Sequence, residues 1–111
     1  MRIDVFKMLA TMQQAGPGFA QAKAKRIYLE QYAKTLKAEL MMQAASQGVK
    51  TASDREAYAY AHERYRLNTD ALQTAVETEE RLRWELVHAQ TSVDVWRSAE
   101  ASNRAIDRGA S

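Results

Sequence analysis

His62 and His88 are the first residues to consider for chemistry, because the chain of 111 residues contains no cysteine. The stretch between them reads as one helix, on which 26 positions span about 39 Å, so the two cannot share a site within one chain. The absence of cysteine removes thiol nucleophiles, disulfides and thiolate metal sites together. No Gly-rich phosphate loop and no Gly-x-Ser-x-Gly turn occurs. Glu85-Leu86-Val87-His88 is a Glu-x-x-His step, half of the di-iron bundle motif. A full site needs two copies of that step and two further carboxylates, which a homodimer could supply with Glu39 or Glu30. Leu86, however, takes the seam position of its helix and leaves Glu85 and His88 on its flanks. Glu77, Glu79 and Glu80 form an acidic group, but Arg81 and Arg83 stand beside it. Interspersed charges of this kind belong to a solvated helix face with local ion pairs. The expectation is a protein that is not an enzyme and holds no metal or cofactor.

The basic residues carry a stronger pattern. Lys23, Arg26, Lys34 and Lys37 fall at i, i+3, i+11 and i+14, one stripe on a helix, interrupted only by Glu30. Lys25, Tyr28 and Tyr32 are read as the adjoining strip. Cations that meet phosphates beside rings that stack on bases suit single-stranded nucleic acid. The plainer alternative is a solvated lysine-rich face whose tyrosines pack on the next helix. The net charge of +2 is unevenly placed. Residues 1–53 hold eight basic and three acidic side chains, while residues 54–111 hold eight basic and eleven acidic. All six lysines lie in the first of these halves. This asymmetry fits a polyanion-facing front half or head-to-tail pairing of copies.

The elements that must position these residues are helical. One Pro and four Gly are too few for a sandwich or barrel, and two Phe and two Trp against 20 Ala favour helices with thin seams. The reading is a single all-α domain: a long helical hairpin with a short N-terminal helix. Residues 2–15 form that short helix, with Ile3, Val5, Phe6, Met8, Leu9 and Met12 on one face, ended by Gly16-Pro17-Gly18. It docks on the fold. A membrane-surface anchor is the sharper alternative, but the segment carries only two basic residues and one acid. Residues 19–47 form helix 1, with Ala22, Leu29, Ala33, Leu36 and Leu40 as its stripe and Gly48 as its cap. Ser53 to Glu56 reads as a capping box that opens a long helix over 54–105, and 106–111 reads as a frayed tail.

A helix that long needs lateral support, and heptads counted from Tyr58 supply it. The seam positions are Tyr58, Ala61, Tyr65, Asn68, Leu72, Ala75, Glu79, Leu82, Leu86, Ala89, Val93 and Trp96; only Asn68 and Glu79 are polar. A weaker stripe of Leu67, Trp84, Val87 and Val95 lies on another face. An exposed Trp among apolar neighbours points to self-association. The residues expected at an oligomer or partner interface are therefore Tyr58, Tyr65, Leu72, Leu82, Trp84, Leu86, Val87, Val93, Val95 and Trp96.

Glu79-Glu80-Arg81-Leu82-Arg83-Trp84, Val95-Trp96-Arg97, Asn103-Arg104 and the stretch Arg26 to Met42 resemble small phage-encoded helical proteins of the UvsY recombination-mediator type. The resemblance implies a helical oligomer that binds single-stranded DNA and helps load a recombinase onto strands coated by a single-strand-binding protein. It places the DNA on the basic stripe of helix 1 and assembly on the long helix, and it carries over no catalytic residue. The net-acidic second half is a poor DNA surface and suits a protein partner. A coiled-coil adaptor or inhibitor that uses Trp84, Val87 and Val95 as anchors, with no DNA binding, is the alternative function. No apolar run reaches membrane-span length, and Asp4 and Lys7 interrupt any signal-peptide core, so the expected location is the cytoplasm, that of a bacterial host if the chain is phage-encoded.

Overall fold

The computed structural model describes residues 2–110. Among them the chain forms three helices and no strand: α1 (Val5–Ser46), α2 (Ala52–Ala61) and α3 (Glu63–Ala110). The all-α helical hairpin is the fold; the placement of its breaks differs from expectation at four points.

The first is at Gly16-Pro17-Gly18, which does not end a helix. Asp4 caps α1, its carboxylate accepting the Lys7 N–H at 3.1 Å, and the helix then runs unbroken through Pro17. A proline inside a helix removes one donor and crowds the carbonyl four residues back. That carbonyl belongs to Gln13, and Gln13 and Pro17 both face solvent, where water can satisfy the acceptor. On the opposite side Ala15 is buried, Phe19 is half-buried and Gly18 lies against Leu82. A Cβ on Gly18 would come 3.3 Å from Leu82 Cδ1, so glycine there permits a close helix approach. Tertiary packing thus outweighs local propensity.

The second is the start of α2. Thr51, not Ser53, is the cap; its hydroxyl accepts the Asp54 N–H at 3.1 Å, and Glu56 is engaged elsewhere. The end of α1 is as expected. Gly48 sits at φ +89°, the Val49 N–H bonds to the Ala44 carbonyl at 3.0 Å, and the Gly48 N–H bonds to the Ala45 carbonyl at 3.1 Å. This pair of bonds closes a helix end through a left-handed residue.

The third is at His62, which splits the expected 54–105 helix into α2 and α3. His62 adopts φ −71°, ψ 140°, and its Nδ1 accepts the Arg64 N–H at 3.0 Å. The fourth is the tail. Helix α3 continues to Ala110 with the side chains of 101–109 exposed, so 106–110 are helical rather than frayed. Ser111, the last residue of that stretch, lies outside the described residues.

The chain divides into two compact units. Gln21–Glu79 contains the main core. Leu36 and Leu40 are its largest fully buried side chains; Ala59 of α2 joins them, and Tyr32, Met41 and Tyr65 pack around. Burying a leucine contributes about 1.5–3 kcal/mol, so these two residues dominate the unit. Ala22, Ala44 and Ala75 are also buried, small residues that suit close helix approach. The polar seam residues are buried too. Asn68 is 7% exposed and donates from Nδ2 to the Leu29 carbonyl at 3.3 Å; Glu79 is 8% exposed and accepts from Arg26. No buried side-chain N or O among the described residues lacks a partner. The one seam position in error is Ala61, which the His62 break leaves exposed.

The other unit joins the start of α1, up to Ala20, to α3 from Glu80 onward. Its buried hydrophobics are Ala15, Ala89 and Val93, with Leu82, Leu86 and Trp96 half-buried. Among its described residues no large side chain is fully buried, so its core is thin. Phe6 and Leu9, expected on the docked face of the N-terminal helix, are both exposed, Phe6 at 81%.

Candidate functional site

The basic-aromatic surface on α1 is assembled differently from its sequence pattern. Helical rotation is about 100° per residue, which sets Tyr32 about 180° from Lys23. The buried stripe of Ala22, Leu29, Ala33, Leu36 and Leu40 runs between the two sets. Lys23, Arg26, Lys34 and Lys37 therefore occupy one flank of that stripe, and Lys25, Tyr28 and Tyr32 occupy the other. They are not adjoining strips.

Two of the cations on the first flank are engaged. Arg26 donates to both oxygens of Glu79, through Nη2 at 3.1 Å and through Nε, and reaches Glu30 at 3.0 Å. These hydrogen bonds, to Glu79 first and Glu30 second, hold the guanidinium above its ordinary range. Lys37 bonds Glu56 of α2 at 2.5 Å and lies over the Tyr60 ring, 5.0 Å from its centroid. The bond to Glu56, then one to Tyr60, raises the lysine; the same contact lowers the Glu56 carboxyl. Neutralised cations of this kind are poor phosphate ligands. Lys23, Lys25 and Lys34 are exposed and form no ion pair among the described residues.

On the second flank Tyr28 and Tyr32 stack, with centroids 6.1 Å apart and planes 7° apart. Tyr28 is 64% exposed, whereas Tyr32 packs on the Leu36–Leu40 cluster. Only Tyr28, with Lys25 beside it, offers a ring to a base. Glu63, Asp70 and Glu77 of the same unit are exposed and also form no ion pair among the described residues, which weakens its pull on a polyanion.

The heptad seam is occupied within the chain. Tyr58 accepts a hydrogen bond from Gln43 Nε2 at 2.9 Å, and Tyr65 packs on the main core. Leu82 meets Gly18, Val93 is buried, and Leu72, Leu86 and Trp96 are half-buried. Of these seven residues Val93 alone is buried, and the other six keep part of their surface exposed. Trp84, Val87 and Val95 remain. They lie within about 80° of one another on α3 and on the side opposite Leu82, Leu86, Ala89 and Val93. Trp84 is 61% exposed, with the Arg83 guanidinium 5.3 Å from its ring centroid. Leu67, grouped with them by sequence, is exposed as well but belongs to the other unit.

Among the described residues no group of three or more His, Asp or Glu is placed to hold a metal ion. Glu85 faces Arg81 at 3.5 Å, Glu30 pairs with Arg26, and Glu39 pairs with Arg64 at 3.4 Å. No described helix is long and apolar enough to cross a membrane. Tyr60 and Glu56 are the residues that sequence reasoning missed; both are tied to Lys37 across 19 or more positions, a pairing that no local signal announces. No family model, no curated protein and no solved structure matches this chain.

Proposed function

We propose that this chain is a non-enzymatic interaction protein that self-associates through the outer face of α3 in its C-terminal half. The observation that carries this reading is the exposure of Trp84, Val87 and Val95 on one face of a unit whose buried hydrophobics are no larger than Val93. A two-helix unit with so thin a core gains most by covering such a face, and an exposed tryptophan is a common anchor of a protein contact. The test is sedimentation equilibrium across micromolar concentrations, with a Trp84→Ser/Val87→Ser variant beside the parent. The parent should assemble; the variant should remain monomeric with unchanged helicity. A parent that stays monomeric at about 100 μM, where contacts of even modest affinity populate, refutes the proposal.

A second reading, implied by the resemblance to UvsY-type mediators, is a recombination accessory that binds single-stranded DNA and meets a recombinase or single-strand-binding protein. It draws support from the exposed Tyr28 beside Lys25, and from Lys23 and Lys34 on the other flank. Assembly would repeat these modest contacts along a strand. Anisotropy of a labelled single-stranded oligonucleotide, at low and physiological salt, separates the two readings. Salt-sensitive binding that Lys25→Glu/Tyr28→Ala abolishes supports the mediator; no binding at low salt ends it.

A further inference from the structure

The break at His62 has no glycine or proline behind it. Sharp interruptions arise from those residues or from a side chain that enters the hydrogen-bond ladder. The imidazole does the latter. His62 leaves the helical conformation, and its Nδ1 takes the Arg64 N–H at 3.0 Å, as the oxygen of a Ser or Asp does at a helix start. A neutral imidazole can accept there with its hydrogen on Nε2. An imidazolium carries hydrogen on both nitrogens and accepts nothing. The cap therefore exists only while His62 is neutral.

An uninterrupted helix is open to the same residues. The heptad pattern of the sequence runs in one phase through the break, from Tyr58 and Ala61 to Tyr65, whereas the buried face changes phase there: in α2 Ala59 is buried and Ala61, which a continuous helix would bring to the seam, is exposed. Against this stand the contacts that hold α2 in place: Ala59 on Leu36 and Leu40, Tyr58 with Gln43, and Glu56 with Lys37. We propose that His62 is a proton-operated hinge, whose neutral ring caps α3 and keeps α2 separate, and whose protonation shifts the chain toward one continuous α2–α3 helix. The titratable and charged groups around the ring are Tyr58 of α2, with ring centroids 5.9 Å apart, Glu63, Arg64 and Arg66 of α3, and Glu39 of α1 through its pair with Arg64. Carboxylates ordinarily titrate near pH 4 and tyrosine near pH 10, so a transition between about pH 8 and 5.5 belongs to a histidine.

The test uses the full chain carrying His88→Gln, which removes the other histidine. The Cα chemical shift of His62, the residue of the break with extended backbone, reports its conformation directly, and those of Ala61 and Glu63, already helical, serve as references. As pH falls from 8 to 5.5 the His62 shift should move from extended toward helical values, with a population change on the order of fivefold, the usual weight of one cap. His62→Asn, which keeps an acceptor oxygen at every pH, should stay broken throughout. His62→Leu, which has none, should be helical at both ends of the range. Flat shifts in the parent, an Asn variant that titrates as the parent does, or a Leu variant still broken at pH 8 would each overturn the hinge.

Discussion

Replacing Pro17 with alanine should stabilise this protein, and the sign of the effect decides whether α1 is one helix. Pro17 lies inside α1 and faces solvent, so its removal takes away no packing. Proline in a helix interior is less favourable than alanine by about 3 kcal/mol. Alanine also frees the unfolded chain, which returns roughly 0.4–1 kcal/mol of that gain. The net expectation is about 2 kcal/mol. With an unfolding entropy of about 2.1 cal/mol/K per residue, a chain of this length should melt about 9 °C higher. Gly16→Ala serves as a companion, since a Cβ there meets nothing within 4 Å and the change to alanine adds about 1 kcal/mol of helix propensity. Gly18→Ala should gain less, because its Cβ must displace the Leu82 side chain. Thermal melts followed by circular dichroism read all three. If the chain turned at Gly16-Pro17-Gly18, Pro17→Ala would only loosen the unfolded state and lower the midpoint by a few degrees. An unchanged or lowered midpoint refutes the continuous helix.

Leu40→Ala should cost about 3 kcal/mol, since Leu40 is fully buried in the main core; urea titration against the parent measures it. Asn68→Leu should stabilise by about 1 kcal/mol, because leucine burial outweighs one long hydrogen bond, and melting checks it; a loss instead would mean the Leu29 contact is worth more than its 3.3 Å length implies. Glu56 has its carboxyl lowered, chiefly by the hydrogen bond from Lys37, so its contribution is complete above the ordinary carboxylate value of about 4.3 and disappears as pH falls through the lower folded value. Melting points from pH 7 to pH 3 should therefore fall less steeply in Lys37→Met than in the parent; parallel curves would remove Lys37 as the cause.

The helical hairpin and its seam were legible because burial follows a period that the sequence displays openly. Eleven of the twelve heptad positions from Tyr58 to Trp96 are buried or half-buried, Asn68 and Glu79 among them. Both polar residues fit because each meets a partner across the hairpin, Leu29 for one and Arg26 for the other, which pattern alone does not reveal. The breaks were illegible in two opposite ways. Gly16-Pro17-Gly18 carries the strongest local stop signal in the chain, yet the helix runs through it with Ala15 buried and Gly18 against Leu82. His62 carries no stop signal, yet a single side-chain acceptor opens the ladder. Local propensity opposes the helix by about 3 kcal/mol at Pro17, and the packing of the inward face outweighs it, whereas at His62 a cap of about 1 kcal/mol opens the ladder.

The candidate surfaces show a related asymmetry between charge and apolar area. A cation on a hairpin can be neutralised by any carboxylate the fold brings near, and sequence separation hides which one. Arg26 finds Glu79 across 53 positions, and Lys37 finds Glu56 across 19, so half of the stripe chosen for phosphate contact is engaged within the chain. Apolar exposure has no such private remedy. Once the seam accounts for Leu82, Leu86, Ala89 and Val93, the opposite face of α3 has no further helix of this chain to meet in its own unit. The seam alone puts Trp84, Val87 and Val95 on another face of the helix and leaves open what covers them, whereas no sequence pattern marks which lysines are engaged. In a thin helical hairpin of this kind, the exposure of an apolar residue off the seam follows more directly from the sequence than the pairing of a basic one.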